Sequence, residues 1–175
     1  YRRTDIPKVG STFNGKTVTL INAQIDNGGY LFSATTSASD ATSTVVIDSD
    51  ITPKSMKNWF SYAKNVTTMN LSKLDTRECT DMSGTFAGCS SLATLDISMW
   101  NTSKVTTMKQ MFLNCIKLST LKLSNLDTSQ VTDMEQMFLS CQSLVLLDVS
   151  NFNTLNVTNM KAMFWGCAKL STLFL

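Results

Sequence analysis

The sequence predicts an α/β solenoid, in which short parallel strands and short helices alternate and stack along one axis. The main observation is a period of 26 residues in the second part of the chain. Three sets of residues recur at this spacing: Cys89, Cys115, Cys141 and Cys167; Phe86, Phe112, Phe138 and Phe164; and Leu92, Leu118, Leu144 and Leu170. Within each period the spacing of apolar residues also changes from alternation to a helical spacing. With 43% hydrophobic residues among 175, such a stack has enough apolar side chains to form a core.

The strand of each period is predicted from alternation. Residues 95–98, Leu-Asp-Ile-Ser, place apolar side chains on one face and polar side chains on the other. Together with Leu92 the apolar positions read Leu-x-x-Leu-x-Leu, which is typical of leucine-rich repeats with periods of about 20 to 29 residues. We therefore expect the strands to pair in parallel on the concave side of the stack.

The helix of each period is predicted for the convex side. Its evidence is a set of apolar residues spaced along one helix face: Val105, Met108, Met111, Phe112, Cys115 and Leu118. Thr106, Thr132 and Thr158 stand where a helix N-cap belongs, and Thr132 with Glu135 matches a capping box. Gly88 and Gly166 are expected near helix ends, where the left-handed conformation is common.

The first 44 residues do not carry the repeat, and they are predicted to form an N-terminal cap. Thr17–Ile21 and Tyr30–Ser33 look like two strands around a turn at 26–29, which indicates a β-hairpin, and the polar run 35–44 looks like a loop. A separate attachment module is the alternative. Residues 45–175 then form about five rungs of 26 residues, the first degenerate and the last leaving an open C-terminal end.

The repeat strings resemble a known family. LDISMWNTSKVTTMKQMFLNC, LKLSNLDTSQVTDMEQMFLSC and LDVSNFNTLNVTNMKAMFWGC share the core Val-Thr-x-Met-x-x-Met-Phe-x-x-Cys. They resemble the BspA-like leucine-rich-repeat surface proteins, which include a repeat first catalogued as a mycoplasma domain of unknown function. The resemblance implies a secreted or cell-surface protein with a role in adhesion and host contact, and it implies no particular binding residues. The unit is also similar to the cysteine-containing repeats of eukaryotic substrate adaptors.

The outward positions of the strands are the first candidate binding site. They form a polar concave face that mixes charges of both signs, which fits a protein or glycan partner better than a strongly charged ligand. A solvated face that compensates its own charges is the alternative, because exposed ion pairs contribute only about 0–1 kcal/mol. The candidate residues are Asn70, Ser72, Thr94, Asp96, Ser98, Thr120, Lys122, Ser124, Leu146, Asp148 and Ser150.

A column of apolar residues beside the predicted helix face is the second candidate. Leu113, Leu139 and Trp165 lie off the buried stripe, so they form either an exposed contact site or packing against the neighbouring rung. The cysteine column invites a metal or redox interpretation. We interpret it instead as a set of small buried hydrophobes, because parallel side chains about 4.8 Å apart suit neither a zinc site nor a disulfide.

Several functional classes have no support in the sequence. The chain has no histidine, which removes Ser-His-Asp and Cys-His catalysis and every His-ligated metal site. No carboxylate pair and no phosphate-binding or nucleophile motif stands out, so we expect neither enzymatic activity nor a cofactor. A net charge of +2 does not indicate nucleic-acid binding. No apolar run approaches the ~18–20 residues of a membrane span.

These observations lead to a functional hypothesis. We expect a cell-surface or secreted adhesion module whose concave face contacts a protein or glycan of a host or neighbouring cell. A rigid spacer within a longer surface protein and an intracellular adaptor are the alternatives. The open C-terminal rung also predicts end-to-end self-association, because unpaired strand edges pair with other chains.

Overall fold

A computed structural model describes residues 11–14, 17–20, 44–47, 50 and 52–175. Eight short strands are found in this part of the chain. They are β1 (Ser11–Asn14), β2 (Thr17–Leu20), β3 (Thr44–Ile47), β4 (Thr68–Asn70), β5 (Thr94–Asp96), β6 (Thr120–Lys122), β7 (Leu146–Asp148) and β8 (Thr172–Phe174). From β4 onward the strands recur every 26 residues, at the positions where the sequence alternates.

The strands form three separate sheets. β1 and β2 are antiparallel, and β2, β3 and β4 continue that sheet in parallel. β5 pairs in parallel with β6, and β7 pairs in parallel with β8, each shifted by one repeat. β4 does not pair with β5, nor β6 with β7, so the strands do not form the single continuous sheet expected of the concave side.

The prediction of an α/β solenoid with convex helices is wrong, because no helix is present among the residues that the structure describes. Consecutive turns occupy the place of each helix. Where a helix would direct every N–H to the fourth residue before it, the N–H groups of Met108, Gln110 and Phe112 bond to carbonyls of the following repeat at 2.8–3.0 Å. Those of Met111 and Cys115 bond back three residues, at 3.1 Å.

Backbone conformation explains why these turns replace a helix. Gln110 and Asn114 both have φ of 57°, in the left-handed region, and the equivalent residues of other repeats do the same. Each is the third residue of a turn closed by a bond between residues three apart, as in a type II turn. Gly88 and Gly166 are left-handed as predicted, with φ of 76° and 77°, but they belong to such turns and not to helix ends.

The predicted helix caps are also wrong. The Oγ1 of Thr132 donates to the carbonyl of Thr106 at 3.2 Å, and Thr158 donates to Thr132 at 3.1 Å, so these hydroxyls link neighbouring repeats. The predicted partner of Thr132, Glu135, donates its N–H to Asp133 and accepts from the ammonium of Lys109.

The core nevertheless contains the apolar side chains that the helix-like spacing predicted to be buried. Met108, Met111, Phe112 and Cys115 are all fully buried. Phenylalanines of successive repeats stack with their ring centroids 5.5–5.7 Å apart: Phe60, Phe86, Phe112, Phe138 and Phe164. A line of single-residue parallel bridges joins the repeats on the turn side: Ser55, Asp81, Thr107, Asp133 and Asn159. The turns therefore bury the face expected of a helix while bonding across the stack.

The N-terminal segment is described in part. β2 lies within the predicted strand Thr17–Ile21, but its hairpin partner in the structure is β1. The predicted strand at 30–33, the turn at 26–29 and most of the loop at 35–44 lie outside the described residues. The division at residue 44 stays a prediction.

Candidate binding face

The outward side chains of β4 to β8, with the serines two residues after β4 to β7, form one face, which we call the strand face. Asn70, Asp96, Lys122 and Asp148 occupy equivalent positions in successive repeats, and all four are exposed. Thr94, Thr120, Leu146, Ser72, Ser124 and Ser150 are also exposed, and Ser98 is half-buried. The structure brings together the residues of β5 and β6, which are in register. It does not place Asn70 in the same sheet as Asp96.

The acidic and amide side chains of the strand face are fixed by the turns that follow them. Asp96 Oδ1 accepts from the N–H of Ser98 at 3.1 Å and from its hydroxyl at 2.6 Å. Asp148 makes the same two bonds with Ser150, at 3.0 and 2.6 Å, and Asn70 makes them with Ser72. These local bonds hold each side chain in place through one oxygen, and the serine bonds do not use the second oxygen of either carboxylate.

One pair of opposite charges is formed on the strand face. Lys122 Nζ lies 3.1 Å from Asp96 Oδ2, and both side chains are more than half exposed to solvent. Hydrogen bonds from Ser98 and then from Lys122 lower the pKa of Asp96 to about 2. Because the pair is exposed, its contribution to stability is small.

The sequence did not predict a cavity at the N-terminal part of the strand face. It has a volume of about 640 Å³ and is lined by Met69, Asn70, Leu71, Ser72, Leu74, Asp96, Met99 and Trp100. A second cavity of about 390 Å³ adjoins it and adds Asp50, Lys73, Asp75, Thr76, Arg77 and Asn101. The side chain of Met99 is 89% exposed and lines both cavities, while the buried Trp100 stacks on Phe86.

A comparison of the repeats shows that one residue lining this cavity, Met99, is unusual for its position. Met99 occupies a position that is polar in the other repeats, Lys73, Asn125 and Asn151. Because Met99 departs from a polar column and also lines both cavities, it is a candidate contact residue. Phe174 was missed in the same way, since it occupies the position of Asp96, Lys122 and Asp148 and is 49% exposed.

The second candidate column lies in the turns, away from the strand face. Leu113 and Leu139 are half-buried, and their carbonyls accept bonds from Gly88 and Asn114 of the preceding repeats. Trp165 is 71% exposed, so the column combines packing between repeats with one exposed ring.

The cysteine column is built as a set of small buried side chains. Cys79, Cys89, Cys115 and Cys141 are buried, Cys167 is half-buried, and all five are free thiols. Burial raises the pKa of each, that of Cys79 to about 11. In the described part of the chain, no group of three or more Cys, Asp or Glu residues is placed to hold a metal ion.

Comparison with known proteins identifies the family. Within the described residues, no helix has the length and apolar character needed to cross a membrane. No curated protein matches the chain. The family model described as "Mycoplasma protein of unknown function, DUF285" matches residues 54–174. Since the match spans more than half of the chain, the protein belongs to this DUF285 family.

Proposed function

We propose that the protein is a binding module related to the BspA-like surface proteins, that it acts at the cell surface or after secretion, and that its strand face contacts a partner protein. The observation that carries this proposal is a row of exposed polar side chains beside a cavity with an almost fully exposed methionine, Met99.

The fixed side chains of the strand face support recognition. Asp96 and Asp148 are each held by two bonds from a serine two residues later. A partner therefore meets groups that are already ordered, and less conformational entropy is lost on binding. Because acidic and basic groups alternate along the face, they favour specificity over strong electrostatic attraction.

Exposed apolar side chains favour a protein over a glycan. Met99 is 89% exposed beside the strand face, and on the face Leu146 and Phe174 are 52% and 49% exposed among polar side chains. Protein interfaces combine such apolar anchors with a polar rim, and methionine is enriched in them. Binding to glycans alone is an outcome of the experiment below.

The experiment is binding of the purified chain to separate panels of immobilised secreted and cell-surface proteins and of immobilised glycans. Lys122→Glu combined with Asp148→Lys changes the strand face without altering net charge. We expect at least a tenfold loss of affinity for the protein partner. Glu78→Lys combined with Lys104→Glu is the matched control. It reverses an ion pair of 2.7 Å away from the strand face and should leave binding unchanged.

Other outcomes separate the alternatives. If both double variants bind the protein partner as tightly as the unmodified chain, the strand face is not the binding site and a rigid spacer is favoured. Immunodetection of the protein on intact cells of its source is expected, whereas detection only after lysis would favour an intracellular adaptor.

A further inference from the structure

The carboxylate of Asp148 has no cationic partner on the strand face. Its Oδ1 is held by the N–H and hydroxyl of Ser150, and within the described ranges no Lys or Arg nitrogen lies within 4.0 Å of it. Lys122 on the preceding strand pairs with Asp96 instead, at 3.1 Å. Asp148 therefore presents a negative charge that no lysine or arginine among the described residues pairs with.

Two exposed apolar side chains stand next to this carboxylate. Phe174 is the register partner of Asp148 on β8, and Leu146 lies two residues before Asp148 on β7. Residues in register on parallel strands, and residues two apart on one strand, share a face of the sheet. Phe174 and Leu146 are about half exposed, so a ligand can reach both.

Comparison with β5 and β6 shows that a cation is missing from the equivalent position on β7 and β8. On β5 and β6 the same two positions hold Asp96 and Lys122, which form an ion pair. On β7 and β8 a phenylalanine replaces the lysine, so the cation is missing and an aromatic ring lies in its place. A cation supplied by a partner would complete the same arrangement and would also contact the ring.

We propose that Asp148, Phe174 and Leu146 form a site for an arginine side chain of the partner protein. This inference rests on the proposed function and specifies the chemistry of its partner. A guanidinium group can donate two parallel hydrogen bonds to a carboxylate and can stack on an aromatic face, and its aliphatic stem packs on an apolar side chain. Lysine offers a compact charge without the planar fork and binds such a site more weakly.

The test is a titration of the ¹⁵N-labelled chain with Nα-acetyl-arginine amide, followed by two-dimensional NMR. We expect saturable shifts of the backbone amides of Ser150 and Phe174 at millimolar concentrations. Nα-acetyl-citrulline amide, which is neutral and nearly the same shape, should bind at least about tenfold more weakly. Nα-acetyl-lysine amide should bind with intermediate affinity.

Matched variants show which groups hold the probe. Asp148→Asn should abolish binding while keeping the turn, because Asn70 already bonds a serine in the same way. Phe174→Ala should weaken binding several-fold. Asp127→Asn is the control, because Asp127 accepts from Ser129 in an equivalent turn but lies off the strand face. Dispersed spectra of each variant establish that it is folded.

The outcomes for the site and for the proposed function are distinguishable. Equal binding of arginine and citrulline probes, or full binding by Asp148→Asn, would overturn the arginine site. If that happens while the Lys122→Glu, Asp148→Lys variant still loses its protein partner, the proposed function stands alone. If the arginine probe binds but the double variant keeps full affinity for that partner, the proposed function fails, and the site binds an arginine that does not belong to that partner.

Discussion

The thiol of Cys115 donates a hydrogen bond of 3.2 Å to the carbonyl oxygen of Phe86, which belongs to the preceding repeat. The same bond joins Cys89 to Phe60 and Cys141 to Phe112. Each cysteine therefore fills a small buried space and also bonds a carbonyl of its neighbour. A column of such thiols is a structural feature of the repeat, and this has consequences for their reactivity.

Alkylation of the native protein should distinguish the buried thiols from the half-buried one. We expect Cys167 to react with iodoacetamide much faster than Cys89, Cys115 and Cys141, since only the thiolate reacts and burial suppresses it. Burial raises the pKa of Cys79 to about 11, so Cys79 should also react slowly at pH 9, where an ordinary thiol is largely ionised. Peptide mapping by mass spectrometry measures the rates. Equal labelling of all five cysteines would contradict their burial.

Removing one ring from the phenylalanine stack should destabilise the protein strongly. Phe138 lies between Phe112 and Phe164, with centroid distances of 5.5 and 5.7 Å. Phe138→Ala should lower the free energy of unfolding by about 3–5 kcal/mol, because a buried aromatic side chain is lost and a cavity remains. Denaturation in guanidinium chloride measures the change. The control is Leu155→Ala, an exposed position at which we expect almost no effect.

Acid should weaken the turn that follows β5. The pKa of Asp96 is about 2 in the folded protein and about 3.9 in an unfolded chain. A carboxyl with a lowered pKa stabilises the fold above its unfolded pKa, and this contribution is lost as pH falls from about 4 to 2. NMR titration of the side-chain carboxyl of Asp96 should give the low pKa, and Ser98→Ala should raise it. An unchanged pKa in Ser98→Ala would show that the serine is not its main cause.

Replacing a left-handed turn residue by glycine should stabilise this protein, whereas glycine in a helix is destabilising. Ser140 has φ of 60°, and Gly88 and Gly166 occupy the same position in other repeats. Ser140→Gly should stabilise the protein by up to about 1 kcal/mol, because a left-handed residue other than glycine is strained by about 1–2 kcal/mol. In a helix the same change would destabilise it by a similar amount. Thermal unfolding decides the sign, and Gly88→Ala should have the opposite effect.

The last repeat exposes apolar side chains that predict self-association of the 175-residue chain. Leu173, Leu175 and Met160 are exposed, and a cavity of about 310 Å³ adjoins Met160 and Leu175. Sedimentation velocity should show dimers or larger species whose fraction grows with concentration. Leu175→Lys should reduce this association, whereas Leu155→Lys, at an exposed position elsewhere, should not. Monomer alone at high concentration would contradict the prediction.

The candidate face was predictable where it depended on periodicity. The alternation around Asp96 and Asp148 indicated which side chains point outward, and the structure exposes them. The cavity beside Met99 was not predicted, and Phe174 was not among the candidates for this face, although Met99 and Phe174 both depart from the residue type of their columns. Such departures identify unusual positions, but only the folded structure shows that Met99 adjoins a cavity and that Phe174 lies beside the carboxylate of Asp148.

The sequence by itself determined the 26-residue repeat, the positions of its strands and most of the buried apolar side chains, because apolar spacing specifies which residues leave water. In the last repeat Met160, Leu173 and Leu175 occupy apolar positions but are exposed. The sequence did not determine the backbone of the second half of the repeat. Met108, Met111, Phe112 and Cys115 are buried equally well by a helix and by successive turns, and apolar spacing does not distinguish the two. The tertiary structure decided between them, since the N–H groups of Met108 and Gln110 bond to the next repeat and not along their own chain.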